Sequence, residues 1–377
     1  MFRSAVKLIT PWRLIMAAFL ATGAVLVFFR FTRGLGSITN LSDQTPWGMW
    51  VGFDILAGIG LAAGGFVMAA AVYVFNLKRY RPIVRMAILT ALLGYIIFIV
   101  GLILEVGRPW NMWRVITNPN IHSPLYEVSL CVMAYTMVLF LEFSQVFFEK
   151  FGWNRLMAVF HRLSVMLVIL GALISTLHQS TLGTLFTIAP SKMHPLWYSP
   201  LLPVHFFLSC IAAGLGMVCF ESFLSERFLK HPPRMDLLSR IARFMAVMLV
   251  AYFIFRMGDL AVRGVIGLAF TAGFAALLFW LENLLFVILP IIMVFRRGLN
   301  IGRTSLFIVS FSVVLGFIMH RFNVAITSFQ LVKDAGYFPS WMEFVVTACL
   351  ISAGFIAAGL AVHLLPVHGG ETEKSEN

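Results

Sequence analysis

The feature that most constrains this chain is its series of apolar runs of about 20 residues, the length of a helix that crosses the hydrocarbon core of a bilayer. Hydrophobic residues make up 60% of the 377 residues and charged residues 12%, against roughly half and a quarter in soluble domains. A soluble fold cannot bury that much apolar surface. Because lipid offers no partner for backbone polar groups, the runs must be helical. The sequence therefore predicts an all-α polytopic membrane protein.

Ten transmembrane helices are predicted from the apolar runs that charged residues, proline or glycine interrupt. Residues 1–366 then form a single integral membrane domain, and the polar segment 367–377 is expected to be a disordered tail. The basic N-terminus lacks a small-residue cleavage site, so we interpret its apolar run as a retained helix and not as a signal peptide. The predicted spans are 12–30, 49–76, 86–104, 124–148, 159–178, 203–223, 243–259, 266–295, 304–322 and 341–365.

The orientation follows from the distribution of lysine and arginine, which are enriched in cytoplasmic loops. With the N-terminus inside, 19 of the 28 basic residues fall on inner segments and nine on outer segments. Both termini are therefore predicted to be cytoplasmic. The net charge of +12 is explained by this bias, so no nucleic-acid partner is expected.

Redox metal sites are not expected in this chain. Cys131, Cys210, Cys219 and Cys349 lie singly within apolar runs, whereas zinc sites and iron–sulfur clusters need grouped thiolates. A membrane b-type haem needs histidines on two facing helices at matching depth, and no two histidines lie mid-span. The prediction is no metal ligand, no haem and no iron–sulfur cluster.

Ionisable residues inside predicted spans form the candidate site, because such groups are costly in lipid and usually face a cavity or a partner. Each carboxylate has a structural alternative, in which it pairs with Arg256 or with the backbone. Arg256 and Asp259, three residues apart on one helix, would pair locally if nothing else engaged them. The aromatic motifs of the outer loops fit either an interfacial belt or a docking surface with a cofactor pocket. The candidates that share the outer depth are Trp47, Asp54, Glu127, His178, Arg256 and Asp259.

Eight motifs, taken together and in order, resemble the HybB-type branch of the NrfD/PsrC family, the quinone-interacting membrane subunits of polysulphide-reductase-like complexes. The resemblance runs from about residue 30 to residue 366. The motifs are PWGMWVGFDILAGIGLAAGG (46–65), EVGRPWN (105–111), SPLYEVSLC (123–131), GALISTLHQSTLG (171–183), HPLW (194–197), CFESFL (219–224), FRMGDL (255–260) and YFPSWMEF (337–344).

The resemblance implies two four-helix bundles, spans 2–5 and 6–9, flanked by spans 1 and 10, in the bacterial inner membrane. It implies a menaquinone or other quinone as substrate at a site near the periplasmic face, and no haem or cluster in this subunit. The implied partners are a periplasmic ferredoxin-like iron–sulfur subunit with four clusters and, beyond it, the small and large subunits of a [NiFe] hydrogenase of the hydrogenase-2 type. The chain would then be a non-metal subunit of a hydrogen:quinone oxidoreductase, with the quinone redox site in or beside it.

Quinone reduction consumes two electrons and two protons, so its site needs donors to the quinone carbonyls and a proton route. The five ionisable candidates can supply both, with Trp47 over the ring or at the mouth. Coupling to proton translocation would need a route to the cytoplasm, for which Glu127, Glu282 and Glu221 lie at outer, middle and inner depths. The alternative for Glu221 is a structural role among the cations at the inner end of span 6.

Two other functions stay open at this stage. Within the family, the chain would serve another periplasmic respiratory complex, such as a polysulphide, nitrite or multihaem cytochrome system. Outside it, the chain would be a secondary transporter, which predicts paired broken helices meeting at the midplane. Of the candidate residues only Glu282 lies at that depth.

Overall fold

The computed structural model describes residues 11–43, 45, 47–229, 232–298, 300–332 and 337–367. These residues contain ten helices that are long and apolar enough to cross a membrane, and no strand, which confirms the predicted all-α fold. The predicted disordered tail lies outside the described residues from residue 368 onward. The helices α1 to α10 are Pro11–Arg33, Trp50–Val74, Lys78–Glu105, Pro124–Phe151, Asn154–Thr187, Leu202–Arg227, Met235–Val262, Phe274–Arg297, Arg303–Gln330 and Trp341–Leu364.

Helix α5 extends well beyond its predicted end at residue 178, to Thr187. The extra segment contains glycine and several threonines, residues that often end a helix. Here the hydroxyls of Thr181 and Thr184 donate to the carbonyls of Leu177 and Ser180, one turn earlier, which is compatible with continued helix. His178 therefore lies in the helix interior instead of at its end.

The pattern of neighbouring helices divides most of the chain into two sets. Helices α2, α3, α4 and α5 contact one another in cyclic order, as do α6, α7, α8 and α9. We call these sets the first and the second helix group. Helices α1 and α10 pack on each other, and α10 also packs on α3. These contacts are those that two four-helix bundles with two flanking helices would make, although the bundle arrangement itself stays a prediction.

The two helix groups approach closely at a pair of glycines on α2 and α6. A Cβ atom on Gly64 would lie 2.5 Å from the carbonyl oxygen of Gly214, and a Cβ on Gly214 would collide with the backbone of Gly64. Small residues let two backbones come together where larger side chains would separate them. The small-residue run of α2 thus serves helix packing.

Among the described residues, four helical segments are wound as π turns, and three of them adjoin ionisable residues of the helices. Asp54 ends the first, Glu282 precedes the third by two residues, and His320 precedes the fourth by three. π turns are rare and concentrate at functional sites. The three turns therefore mark two regions, one around Asp54 on α2 and one around Glu282 and His320 on α8 and α9. The four turns are Trp50–Asp54, Ala70–Val74, Leu284–Ile288 and Asn323–Thr327.

We call the end of the molecule that carries the α1–α2, α3–α4, α5–α6, α7–α8 and α9–α10 connections the outer end, and the opposite one the inner end. Reporter fusions after residue 36 and within residues 112–120 and 190–198 are expected to report the periplasm, because the basic residues lie mainly on the other side. Fusions near residues 80, 230 and 300 should report the cytoplasm. A cytoplasmic signal from residues 190–198 would show that the predicted orientation is wrong.

Candidate functional site

The six predicted site residues do not line one common pocket. Arg256 and Asp259 lie on α7 in the second helix group. Asp54 faces α10, where its partner Thr347 lies. Trp47, Glu127 and His178 contact other parts of the first helix group. The structure therefore offers two polar centres, one in each helix group.

The centre in the second helix group is a buried ion pair between α7 and α8. The Arg256 guanidinium lies 2.5 Å from Glu282 Oε1, and both side chains are almost fully buried. Glu282 Oε2 accepts hydrogen bonds from Trp197 Nε1 at 3.1 Å and from Asn323 Nδ2 at 2.6 Å. Glu282 is thus held by charged and neutral donors, unlike the partner-free carboxylate that the proposed proton route requires.

Further polar groups complete this ion-pair centre. Arg256 also donates to the Tyr252 hydroxyl at 3.0 Å, and His320 Nδ1 lies 3.4 Å from Glu282 Oε1. Arg256 and Asp259 would pair locally only if nothing else engaged them, and that pair does not form because Glu282 engages the arginine. Asp259 instead accepts from Arg263, four residues on, and from Ser199.

A small pocket of about 10 Å³ opens beside this centre, between the α5–α6 connection and the outer half of α7. That volume is close to the least that holds one water molecule. The pocket is polar and far too small for a quinone ring. Its lining residues are Leu196, Trp197, Tyr198, Ser199, Leu202, His205, Arg256, Asp259, Leu260, Arg263 and His320.

The α5–α6 connection is fixed in place by His194 and so positions Trp197. The His194 backbone N–H donates to the carbonyl of Ser328 on α9 at 3.0 Å, and its Nδ1 accepts from the Leu196 N–H at 3.3 Å. Burial lowers the pKa of the His194 imidazole, which favours the neutral ring that this acceptor role needs. The motif HPLW thus has a structural role in holding the indole N–H against Glu282.

The centre beside the first helix group is the pair of Asp54 and Thr347. The Thr347 hydroxyl on α10 donates to Asp54 Oδ2 at 2.6 Å, and Asp54 is only partly buried. A row of partly exposed aromatic rings, the outer aromatic row, begins at the neighbouring Phe53 and ends at Phe344, one turn before Thr347. Its ring centroids follow one another at 5.4, 6.5 and 6.2 Å, in the order Phe53, Phe322, Phe338 and Phe344.

Two buried carboxylates hold the backbone around Asp54. Glu105, at the end of α3, accepts from the N–H groups of Gly48 at 2.6 Å and Val51 at 2.8 Å. It therefore anchors the start of α2 and the π turn that carries Asp54. Both Glu105 and Glu343 lie near enough to Asp54 to interact with it electrostatically.

Glu343 performs the same anchoring role for α10. It forms a capping box with Ser340 and accepts from the hydroxyl of Tyr337. Burial and the hydrogen bond to Glu343 hold the pKa of the Tyr337 hydroxyl well above its usual range, so the hydroxyl stays protonated and remains a donor. Tyr337 in turn accepts from the Met49 N–H at 2.8 Å. The start of α2 and the start of α10 are thereby joined.

The remaining predicted residues are spread through the molecule. Trp47 packs edge-on against Phe186 of α5, with its indole N–H buried and without a hydrogen-bond partner. Glu127 is exposed near the outer end of α4 and accepts from Thr181 at 2.8 Å. Glu221 of α6 accepts from the Thr90 hydroxyl of α3. None of the proton-route carboxylates Glu127, Glu221 and Glu282 bonds to another.

His178 is fully buried in the first helix group. Its Nδ1 lies 3.2 Å from the hydroxyl of Tyr95, and its Nε2 has no hydrogen-bond partner. It does not line a pocket at a helix end, because α5 continues beyond it. Among the described residues no group of three or more His, Cys, Asp or Glu is placed to hold a metal ion.

Several residues of these centres were not among the predicted site residues. Glu105, His320 and Glu343 were visible in the sequence as ionisable groups near outer helix ends. Thr347 gave no signal, since one threonine in an apolar span is ordinary. The outer aromatic row joins three segments far apart in the chain, so spacing alone does not reveal it.

Comparison with known proteins shows to which family the chain belongs. Residues 37–333 match the family described as "Polysulphide reductase, NrfD". The chain is 32% identical to the "Probable Ni/Fe-hydrogenase 2 b-type cytochrome subunit" of Escherichia coli over 96% of this chain and 93% of that protein. It is 25% identical to the "Menaquinone reductase, integral membrane subunit" of Nitratidesulfovibrio vulgaris over 96% and 92%.

A third relative is a subunit of the selenate reductase of Mesobacillus selenatarsenatis, with 24% identity over 93% of this chain and 92% of that protein. The family match covers well over half of the chain, and all three relatives are matched along nearly their whole length. Ten apolar helices agree with this family. The chain is thus a multi-pass integral membrane protein that belongs to the NrfD polysulphide reductase family.

Proposed function

We propose that this chain is the quinone-interacting membrane subunit of a periplasmic [NiFe] hydrogenase complex in the bacterial inner membrane. It passes electrons between a ferredoxin-like iron–sulfur subunit at its outer end and the menaquinone pool. The relative named for a Ni/Fe-hydrogenase supports the hydrogenase partner, and the relative named for a menaquinone reductase supports the quinone substrate.

The observation that carries the proposal is the juxtaposition of Asp54 and Thr347 with the outer aromatic row. A quinone has polar carbonyls on a flat apolar ring, so its site needs a few polar groups on an apolar, aromatic wall. The pair supplies a carboxyl and a hydroxyl, and the row supplies four rings. Because Phe338 and Phe344 are 51% and 39% exposed, a lipid-dissolved ligand can reach this wall from the bilayer.

Each residue of this site has a role that follows from its contacts. A quinone accepts two electrons and two protons and so needs a proton donor at its carbonyls. The Asp54 carboxyl holds and releases a proton there, and Thr347 orients it. Glu105 and Glu343 fix the two helix starts, so the pair keeps its geometry. Trp47 packs edge-on against Phe186 of α5 instead of against this pair.

The other predicted quinone-binding residues lie outside this site. Arg256 and Asp259 belong to the ion-pair centre, whose donors and acceptors already engage each other. The pocket beside them has room for about one water molecule. His178 lies in the interior of the first helix group, and Glu127 lies near its outer end. Both positions suit a role in proton transfer.

The α3–α4 connection offers a surface for the iron–sulfur partner. It exposes Trp110 and Trp113 along with Ile116 and Ile121, at 58–80% exposure. Exposed aromatic residues of this kind are enriched at protein interfaces. The surface lies at the outer end, which the basic-residue distribution predicts to face the periplasm.

Isolation of the tagged complex in mild detergent tests the proposal. Hydrogenase subunits and a four-cluster iron–sulfur protein should co-purify, and organic extraction of the same preparation should yield menaquinone. Recovery of a selenate-, polysulphide- or nitrite-reducing enzyme instead would assign the chain to another respiratory complex of the same family. Recovery without any redox partner or quinone would contradict the proposal.

The isolated subunit is expected to show no haem absorption and to contain no iron. The relative from Escherichia coli carries "b-type cytochrome" in its name, so the measurement distinguishes a subunit that holds haem from one that holds none. Reduced-minus-oxidised spectra and metal analysis of the purified chain provide the check. A stoichiometric b-type spectrum from this chain alone would refute the cofactor part of the proposal.

A further inference from the structure

The inner end of the first helix group contains a second pocket, of about 160 Å³. It lies where α2, α3, α4 and α5 meet, and it has room for several water molecules or for a phosphate group with bound water. The predicted orientation places it on the cytoplasmic side. The pocket is lined by Tyr73, Arg81, Arg85, Ile88, Glu142, Phe143, Gln145, Val146, His161, Ser164 and Val168.

The mouth of this pocket is strongly basic. The two inner segments that contribute to it, residues 75–85 and 149–162, contain seven lysines and arginines and one carboxylate, that of Glu149. Glu149 pairs with Arg85 at 2.8 Å. The Arg81 guanidinium, by contrast, is exposed and has no hydrogen bond or ion pair with the described part of the chain. The mouth therefore offers an uncompensated cation to an anionic ligand.

An exposed apolar surface adjoins this basic mouth. Val74, Phe75 and Leu77 follow the lining residue Tyr73 and are 44%, 71% and 38% exposed. The chain turns from α2 to α3 at Asn76, with a φ of 54°, a left-handed conformation that asparagine adopts more readily than most residues. A cationic pocket beside exposed apolar side chains matches a ligand with an anionic head and apolar chains.

The inner end of α2 is also distorted next to the pocket. The π turn Ala70–Val74 contains Tyr73, which lines the pocket. π turns concentrate at functional sites, and the other three described here adjoin Asp54, Glu282 and His320. The π turn at Tyr73 contains no carboxylate or histidine, and the feature that it adjoins is the pocket.

The aromatic residues of the α4–α5 turn place the mouth at the depth of the lipid headgroups. Phe151 and Trp153 are 59% and 53% exposed, and Lys150 lies over the ring of Phe151. Aromatic and basic side chains of this kind are enriched at the membrane–water interface. Glu149, whose partner Arg85 lines the pocket, directly precedes Lys150. The cations of the mouth are therefore level with the interface.

The carboxylate of Glu142 limits how deep an anion can bind. Glu142 is 9% exposed and precedes Glu149 by seven residues on α4, a rise of about 10 Å. It therefore lies about two turns deeper than the pair of Arg85 and Glu149. Arg81 precedes Arg85 by one turn and lies nearer to the inner surface. An anion held by Arg81 thus stays at the mouth, apart from Glu142, and the pocket has room for water between them.

We propose that the inner pocket binds the headgroup of an anionic phospholipid from the cytoplasmic leaflet. The phosphate contacts Arg81 and the exposed imidazole of His161, and the acyl chains lie over Val74, Phe75 and Leu77. Basic pockets between transmembrane helices on the cytoplasmic side suit such headgroups. Free phosphate shares the anionic group but makes no use of the apolar surface. This inference does not depend on the proposed function.

Native mass spectrometry of the full-length chain in mild detergent, with phospholipid added in steps, tests the proposal. The probes are dioleoylphosphatidylglycerol and dioleoylphosphatidylcholine, which have the same acyl chains and differ in headgroup charge. The anionic lipid should bind at least about fivefold more tightly, and Arg81→Gln should lower its affinity about fivefold, the contribution of roughly one basic residue at an anionic surface. Phe75→Ser should weaken the binding of both lipids, because it removes apolar surface.

Two matched variants serve as controls, and a second measurement supports the first. Arg240→Gln removes an exposed inner-end arginine of α7 that does not line the pocket. Phe270→Ser removes a phenylalanine near the outer end that is 72% exposed. Both should retain wild-type affinity for phosphatidylglycerol. This lipid should also raise the melting temperature of the wild-type chain and of both controls, and should raise that of Arg81→Gln less, because a ligand stabilises the folded state that binds it.

Three results would overturn the proposal. The first is equal affinity of the wild-type chain for the two lipids. The second is wild-type affinity for phosphatidylglycerol in Arg81→Gln, or an equal loss in Arg81→Gln and Arg240→Gln, which would show a diffuse effect of surface charge. The third is displacement of phosphatidylglycerol by inorganic phosphate at the same concentration, which would assign the pocket to free phosphate.

Discussion

Replacing Asp54 by asparagine is expected to lower quinone-linked electron transfer about 100-fold, the lower range for the loss of a positioned proton donor or acceptor. The amide keeps the shape of the side chain and can still accept from Thr347, but it cannot hold a transferable proton. Hydrogen oxidation with a soluble artificial acceptor should continue, because that acceptor takes electrons before they reach the membrane. The measurement is the ratio of the two activities in the same membranes.

Two further variants sharpen this experiment. Asp43→Asn removes an exposed carboxylate from the α1–α2 connection and should leave the ratio unchanged. Thr347→Ser keeps the hydroxyl and should retain most quinone-linked activity, whereas Thr347→Ala should lose part of it. An equal fall of both activities in Asp54→Asn would indicate an assembly defect and would remove Asp54 from the proposed site.

Glu282→Gln is expected to destabilise the protein by about 3–5 kcal/mol, the usual result of leaving a buried charge without its partner. The variant removes the countercharge of Arg256, and both side chains are almost fully buried. The double variant Arg256→Met with Glu282→Leu should recover most of that stability, since it removes both charges together. Reversible unfolding in mixed micelles of mild detergent and dodecyl sulfate measures the free energy of unfolding.

The control pair for this experiment is Arg303 and Glu226, near the inner end. There the arginine side chain is 60% exposed, so Glu226→Gln should cost less than about 1 kcal/mol. If Glu282→Gln is as mild as Glu226→Gln, the ion-pair centre does not stabilise the second helix group. If the double variant is less stable than Glu282→Gln, the attraction within the ion pair exceeds the cost of burying its two charges.

The number and order of the helices could be predicted from the sequence because the length of an apolar run is fixed by the bilayer. Helix ends were less predictable. The end of α5 was predicted at residue 178, but the hydroxyls of Thr181 and Thr184 bond to carbonyls of the preceding turn and the helix continues to Thr187.

The candidate site was harder to predict because its contacts are made between helices. Arg256 was expected to pair with Asp259 on its own helix only if nothing else engaged it, and it bonds to Glu282, 26 residues away on α8. Sequence spacing reveals neighbours three or four residues apart but not neighbours on another helix.

Photolabelling of the assembled complex with an azido-menaquinone, followed by peptide mapping, tests the location of the quinone site most directly. The label is expected on α2, α9 and the segment that begins α10, within the peptides that contain Phe53, Phe322 and Phe344, and excess menaquinone should prevent it. Label confined to the peptides of the ion-pair centre, around Arg256 and Trp197, would contradict the proposed site.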